Sequence, residues 1–198
     1  SFIRAAREAD HDYVTFGQGV LTVEPNYKTN TLLYQNWHLR DCVWRFTPDG
    51  RLAEVHRKWL PTARELCALF KDKTGASLHA NVTKLLSGKG MTEVECRHVV
   101  VAYGEHECTD ELKSSLGRMA RMTGKPVDEL YIELYIDIGN SHVIWQTPMR
   151  NSKYVIPRWK TMSGTQYAHS PAVTVGLPDA RLIQAMSLTL LEAGEMAI

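Results

Sequence analysis

The chain is short of several things, and each shortage removes a class of protein. Cysteine is scarce: Cys42, Cys67, Cys96 and Cys108 are the only four in 198 residues. They are too few to staple a chain of this length, and the expectation is reduced thiols in a cytosolic setting. Long apolar runs are missing too. No window approaches the roughly eighteen uncharged apolar residues of a membrane span, so no membrane partner is expected. No basic-then-apolar leader opens the chain, so secretion is not expected either. Charge of one sign is not in excess: 23 Lys and Arg stand against 22 Asp and Glu, for a net charge of +1. Tight nucleic-acid binding driven by bulk charge needs a clustered basic surface, which this balance does not supply. There is no internal repeat, no low-complexity segment and no Gly-x-Ser-x-Gly elbow.

What is present is ordinary globular composition, 44% hydrophobic and 23% charged, enough for one sizeable core or two small ones. The apolar spacing of Phe2, Ile3, Ala5, Ala6 and Ala9 predicts a helix over 1–16, ended by Gly17 and Gly19. Strands are expected at 19–24 and 31–35. A hairpin is expected over 42–59, turning through Thr47-Pro48-Asp49-Gly50. Thr62-Ala-Arg-Glu65 is a capping box that opens a helix with an apolar face of Leu66, Cys67, Leu69 and Phe70. Further helices are expected at 76–87 and 109–122, the latter ended by Gly124-Lys125-Pro126. Strands are expected at 95–103, 129–137, 142–147 and 154–156. In 129–137, Leu130, Ile132, Leu134 and Ile136 face one way and Tyr131, Glu133, Tyr135 and Asp137 the other. Strands cluster in antiparallel hairpins instead of alternating with helices, so the expected class is α+β.

Candidate chemistry is thin. Cys96-x-His98 and His106-x-Cys108 hold four soft ligands that a tight turn would converge on zinc. The spacing within each pair is too short for the usual zinc motifs, and the VVVAY run between them reads as core strand. The alternative is two half-buried cysteines and two surface histidines. Thr123-Gly124-Lys125 fails as a phosphate loop because Met119 and Pro126 stand where a glycine and a Ser or Thr are required. Asn81-Val-Thr83 is a formal glycosylation acceptor of the kind that arises by chance. Asp10, His11 and Asp12 read as a solvated helix end. Trp37, Trp44, Trp59, Trp145 and Trp159 read as core and edge packing, not a base-stacking platform. No catalytic residue, cofactor or metal is expected.

The most unusual stretch is VIPRWKTMSGTQYAHSPAVTVGLPDARLIQ, residues 155–184. Pro157 pushes Ile156 towards extended geometry, Gly164 permits a turn, and Ser170-Pro171 reads as a second extended corner. Pro178 suits the first turn of a helix, with the Asp179 carboxylate at its positive end. Downstream, Leu182, Met186, Leu190, Ala193 and Ala197 step by four, four, three and four residues, a stripe fit for packing against other helices. The expected organisation is an α+β body over 1–154, an extended strap over 155–177 and a long helix over 178–198. The helical opening and the uncapped end lead us to expect a fragment of a longer protein.

These residues carry a resemblance. The Pro157-Arg158-aromatic step, the Gly164-x-x-Tyr167 step, Ser170-Pro171-Ala and Leu-Pro178-Asp179 are similar to the portal, or head-to-tail connector, proteins of short-tailed, podovirus-type phages and their prophages. DYVTFGQGVLTVEP, FTPDGRLAEVHRKWLPTARELCALF and ECRHVVVAY resemble further segments of that family. Ala168-His169 departs from the small-basic pair that usually follows the tyrosine, and an asparagine common early in the long helix is replaced by Gln184 or a neighbour. The resemblance implies a structural protein, not an enzyme: a wing-like body and the start of a stem-like helix in a homo-oligomeric ring, typically dodecameric. It implies a virion location at the capsid vertex after assembly in the bacterial host cytoplasm. Double-stranded DNA would pass through the channel without specific binding, and near-neutral charge fits that role. Terminase, capsid or scaffold, and tail adaptor proteins are the implied partners. The alternatives are a tail or adaptor domain that forms no ring, a zinc-dependent hydrolase or a DNA-binding module.

Overall fold

The computed structural model describes residues 2–26, 29–105, 108–162 and 164–196. In chain order it holds α1 (Phe2–Phe16), β1 (Val20–Asn26), β2 (Thr31–Trp37), β3 (Cys42–Phe46), β4 (Leu52–Trp59), α2 (Ala63–Phe70) and α3 (Ala80–Leu85). There follow β5 (Cys96–Ala102), α4 (Asp110–Thr123), β6 (Tyr131–Asp137), β7 (His142–Met149), β8 (Tyr154–Val155) and α5 (Leu177–Met196). The class is α+β, with antiparallel sheets, flanking helices and a long C-terminal helix, as expected. The chain folds as two units, Arg40–Lys153 on one hand and Ser1–Leu39 with Tyr154–Ile198 on the other.

The Arg40–Lys153 unit is built on a five-stranded antiparallel sheet in the order β3-β4-β5-β6-β7. The 47–50 turn closes the first hairpin as its sequence predicts: the Gly50 amide donates to the Thr47 carbonyl at 2.9 Å. β5 and β6 are buried on both faces along most of their length. Val99 and Val101 pair with Leu134 and Ile132 and, on that face, pack with Leu112 and Leu116 of α4. On the opposite face Cys96, Tyr135 and Ile144 pack with Ala63, Leu66 and Phe70 of α2 and Val82 of α3. Leu66, Leu116, Leu130 and Ile132 are fully buried, each contributing roughly 1.5–3 kcal/mol relative to an exposed position.

Helix ends in this unit follow local chemistry. The Glu65 amide donates to Thr62 Oγ1 and the Thr62 amide to Glu65 Oε2, at 3.3 and 2.8 Å, which completes the capping box. Thr109 caps α4, and Gly124 ends it in the left-handed region at φ +68°. The helix expected over 76–87 is shorter in the structure. Only 80–85 is helical, capped by the His79 imidazole, whose Nδ1 accepts from the Asn81 amide. The cause is tertiary: the Ser77 amide donates to the Ile144 carbonyl of β7 at 2.8 Å, which holds this part of the chain out of the helix.

In the second unit a three-stranded sheet, ordered β2-β1-β8, carries α1. Ala5 and Ala9 are buried beneath the helix, because small side chains let its backbone approach the strands. Phe2 meets Tyr34 edge to face at 5.1 Å between centroids, and Asn36 Nδ2 donates to Asp12 Oδ2 at 2.8 Å. Residue 154 is brought back to Thr22 of β1, so the segment after Lys153 returns to the start of the chain.

Candidate functional site

The segment 155–170 is the link between the small sheet and α5, and the structure shows what holds it. It lies along the short connection from α1 to β1. The Gly19 amide donates to the Pro157 carbonyl at 3.3 Å, and the Trp159 amide to the Gly17 carbonyl at 2.7 Å. Arg158 sits opposite Gln18 in an isolated antiparallel bridge, and its guanidinium donates to the Gln166 carbonyl at 3.4 Å. Gly164 turns the chain at φ +84°. Thr165 Oγ1 donates to the carbonyls of Met162 and Tyr167. The Gln18 side chain accepts from the Ala168 amide at 2.7 Å, and the His169 amide donates to the Lys160 carbonyl at 2.8 Å.

Ser170 then joins two helices. Its hydroxyl donates to the Thr15 carbonyl near the end of α1 and accepts from the Val173 amide at 3.2 Å. That second bond is a helix cap, and Pro171 already has helical angles, φ −57° and ψ −41°. The expected extended corner at Ser170-Pro171 is therefore a helix start. A serine cap with proline behind it is a helix-start signal in its own right. Residues Ala172–Gly176 form a π turn, with the Leu177 amide reaching the Ala172 carbonyl. α5 continues from it without a break. Because the helix already starts at Pro171, Pro178 and exposed Asp179 lie inside the continuous helix and not at its free N-terminal end, where the sequence alone places them.

From Ala172 to Met196 no side chain is buried. In the stripe, Leu182, Met186 and Leu190 are 61%, 58% and 73% exposed, Ala193 is exposed, and Ala197 lies outside the described residues. Ile183, Leu188 and Leu191 are exposed as well, so apolar side chains appear on more than one face. An isolated surface helix shows polar residues on its outer side; a helix apolar around much of its girth is one that others cover.

The residues considered for zinc do not converge. Cys96 faces the α2 side of the large sheet, whereas Cys108 packs with the α4 side, and His106 lies outside the described residues. His98 is not a surface histidine: it is fully buried and bonded through Nε2 to Glu133 Oε1 at 2.9 Å. Lys153 Nζ donates to the same carboxylate oxygen. Burial pushes His98 down to about 4, against the opposing pull of Glu133. Burial alone would raise Glu133, but the His98 hydrogen bond and the Lys153 charge outweigh it and hold the carboxyl at about 2. The arrangement is a buried Lys153–Glu133 ion pair with a neutral histidine donating to it. Tyr135 lies against the His98 ring at 4.5 Å. Among the described residues no group of three or more metal-ligating side chains forms, and no helix is long and apolar enough to cross a membrane.

The family model of the bacteriophage head to tail connecting protein matches residues 1–198. This chain belongs to that family. No curated protein matches it. The connector is thus a structural phage protein with a place in the virion, one that meets capsid and tail components. Within the strap, Pro157, Arg158, Gly164, Tyr167 and Ser170 each contribute a backbone turn or a hydrogen bond to the anchoring of the segment that leads into the long helix. Sequence reasoning missed the other half of the anchor, Thr15, Gly17 and Gln18, and it missed the buried His98–Glu133–Lys153 group. For the anchor the available signal was Gly17-Gln-Gly19, two glycines around one polar residue. For the buried group it was a carboxylate in the middle of a strand whose neighbours on both sides are core.

Proposed function

We propose that this connector is one subunit of a homo-oligomeric portal ring, dodecameric in the usual pattern, at the capsid vertex of a short-tailed phage or prophage. Residues 1–154 would form the wing-like body, 155–177 the connecting segment, and 178–198 the start of the stem. In this reading α5 lines up with its copies around a channel for double-stranded DNA. Packaging through that channel is driven by a terminase motor, and capsid or scaffold and tail adaptor proteins dock on the ring after assembly in the host cytoplasm. The observation that carries the proposal is α5 itself: a long helix with no buried residue and an apolar stripe through Leu182, Met186 and Leu190. Such a helix is stable in water only when something covers it, and identical helices around a ring cover one another. The net charge of +1 suits a channel through which DNA slides instead of being held.

The test is size exclusion with light scattering, followed by negative-stain imaging of the purified protein. Rings with a central hole are expected. A monomer at every concentration would overturn ring formation and favour an adaptor that joins head to tail without one.

A further inference from the structure

The way α5 is attached is as informative as its surface. Upstream, the chain is tied at several points within a few residues: Gln18 to Ala168, Lys160 to His169, and Ser170 to both Thr15 and Val173. From Ala172 to Met196 no side chain is buried. Between the two lies the π turn Ala172–Gly176, with Pro171 before it and Pro178 after it.

That turn is weakly braced. The Leu177 amide bonds five residues back, to Ala172, and Pro178 has no amide hydrogen to donate, so one rung of the helix ladder is missing at the junction. A Cβ built on Gly176 meets nothing within 4 Å, so the glycine is not there to admit a packed neighbour. It leaves the backbone free. Thr174 Oγ1 donates to the Ser170 carbonyl, which secures the first turn but not the junction beyond it. Helices bend at prolines, at glycines and at π turns, and all three coincide here within seven residues.

We infer that residues 172–178 are a joint, at which α5 swings as a rigid rod against the fixed strap. The fixed side is set by Ser170 and its partners, and the moving side is set by whatever covers α5. A single chain would then fit its helix to neighbours whose position differs between assembly states, without disturbing the sheet that anchors it. The joint belongs to this chain alone, whether or not its partners form a ring.

Pulsed electron-electron spin resonance on the whole protein tests it. Spin-labelled non-natural amino acids are placed at Arg7 on α1 and Glu192 on α5, so that the native cysteines do not interfere. Labelled chain is diluted into unlabelled chain to isolate distances within one copy. The control pair, Arg181 and Glu192, lies wholly on α5. The distance distribution for 7/192 is expected to be about twofold broader than for 181/192. In the double variant Gly176→Ala/Pro178→Ala, which restores the missing donor and removes the glycine, it should narrow towards the control. A 7/192 distribution as narrow as the control in the unmodified sequence would overturn the joint. So would one that stays broad in a double variant whose circular dichroism shows a folded, equally helical protein.

Discussion

The carbonyl oxygen of His169 faces Gly17 so closely that a Cβ carbon on that glycine would lie 2.0 Å from it. Gly17 also holds φ at +78°, a conformation that side chains disfavour. Two independent reasons therefore require glycine where α1 gives way to the sheet, and both serve the docking of the strap.

Gly17→Ala is expected to destabilise the unit well beyond the roughly 1–2 kcal/mol of a left-handed alanine alone. Gly50→Ala is the matched control, since Gly50 has φ +82° and open space around it. Chemical denaturation of the two variants separates conformation from contact. Equal losses would show that the His169 carbonyl moves aside at no cost.

Gln18→Ala leaves the Ala168 amide without its 2.7 Å acceptor. The expected cost is about 1–3 kcal/mol, concentrated locally. Hydrogen exchange should accelerate at Ala168 and at the neighbouring strap amides while β5 and β6 stay protected. Uniform acceleration throughout both units would mean that Gln18 supports far more than the strap.

Acid should weaken the Arg40–Lys153 unit in two overlapping steps. Folding depresses His98 from 6.5 to about 4 and Glu133 from 4.5 to about 2. For both groups the unfolded chain binds more protons inside the window, so stability is complete above the unfolded value and falls as pH falls. His98 alone accounts for a loss on the order of 3 kcal/mol between pH 6.5 and 4. Thermal unfolding across that range measures it, and His98→Gln should flatten the upper part of the curve.

Lys153→Met removes the cation from a buried pair and leaves Glu133 with only a neutral donor. A loss of about 3–5 kcal/mol at neutral pH is expected. Adding Glu133→Gln to Lys153→Met should recover part of it, because the stranded charge is then gone. A double variant no more stable than the single one would place the cost in packing instead of charge.

Met186→Asp and Leu190→Asp should abolish assembly while shifting unfolding by less than about 0.5 kcal/mol, since neither side chain is buried. Light scattering reads the first effect and thermal unfolding the second. Collapse of the fold would show that the stripe is covered by its own chain.

Features that depend on neighbours a few residues apart are legible in the sequence. The Thr62–Glu65 box, the 47–50 turn, the Gly124 stop and the alternation through β6 are readable because donor and acceptor, or inward and outward side chains, lie within one turn or one strand. The stripe on α5 is readable for the same reason. The remaining features depend on partners brought together only by the folded chain. Gln18 meets Ala168 across 150 residues of sequence, and no local pattern announces that distance. The helix at 76–87 lost its first turn to β7, a competitor far along the chain. The polar side of β6, with Glu133 on it, looks solvated in a one-strand pattern. It is buried because a second layer covers that face, and burial then turns an ordinary histidine, glutamate and lysine into one charge-balanced group.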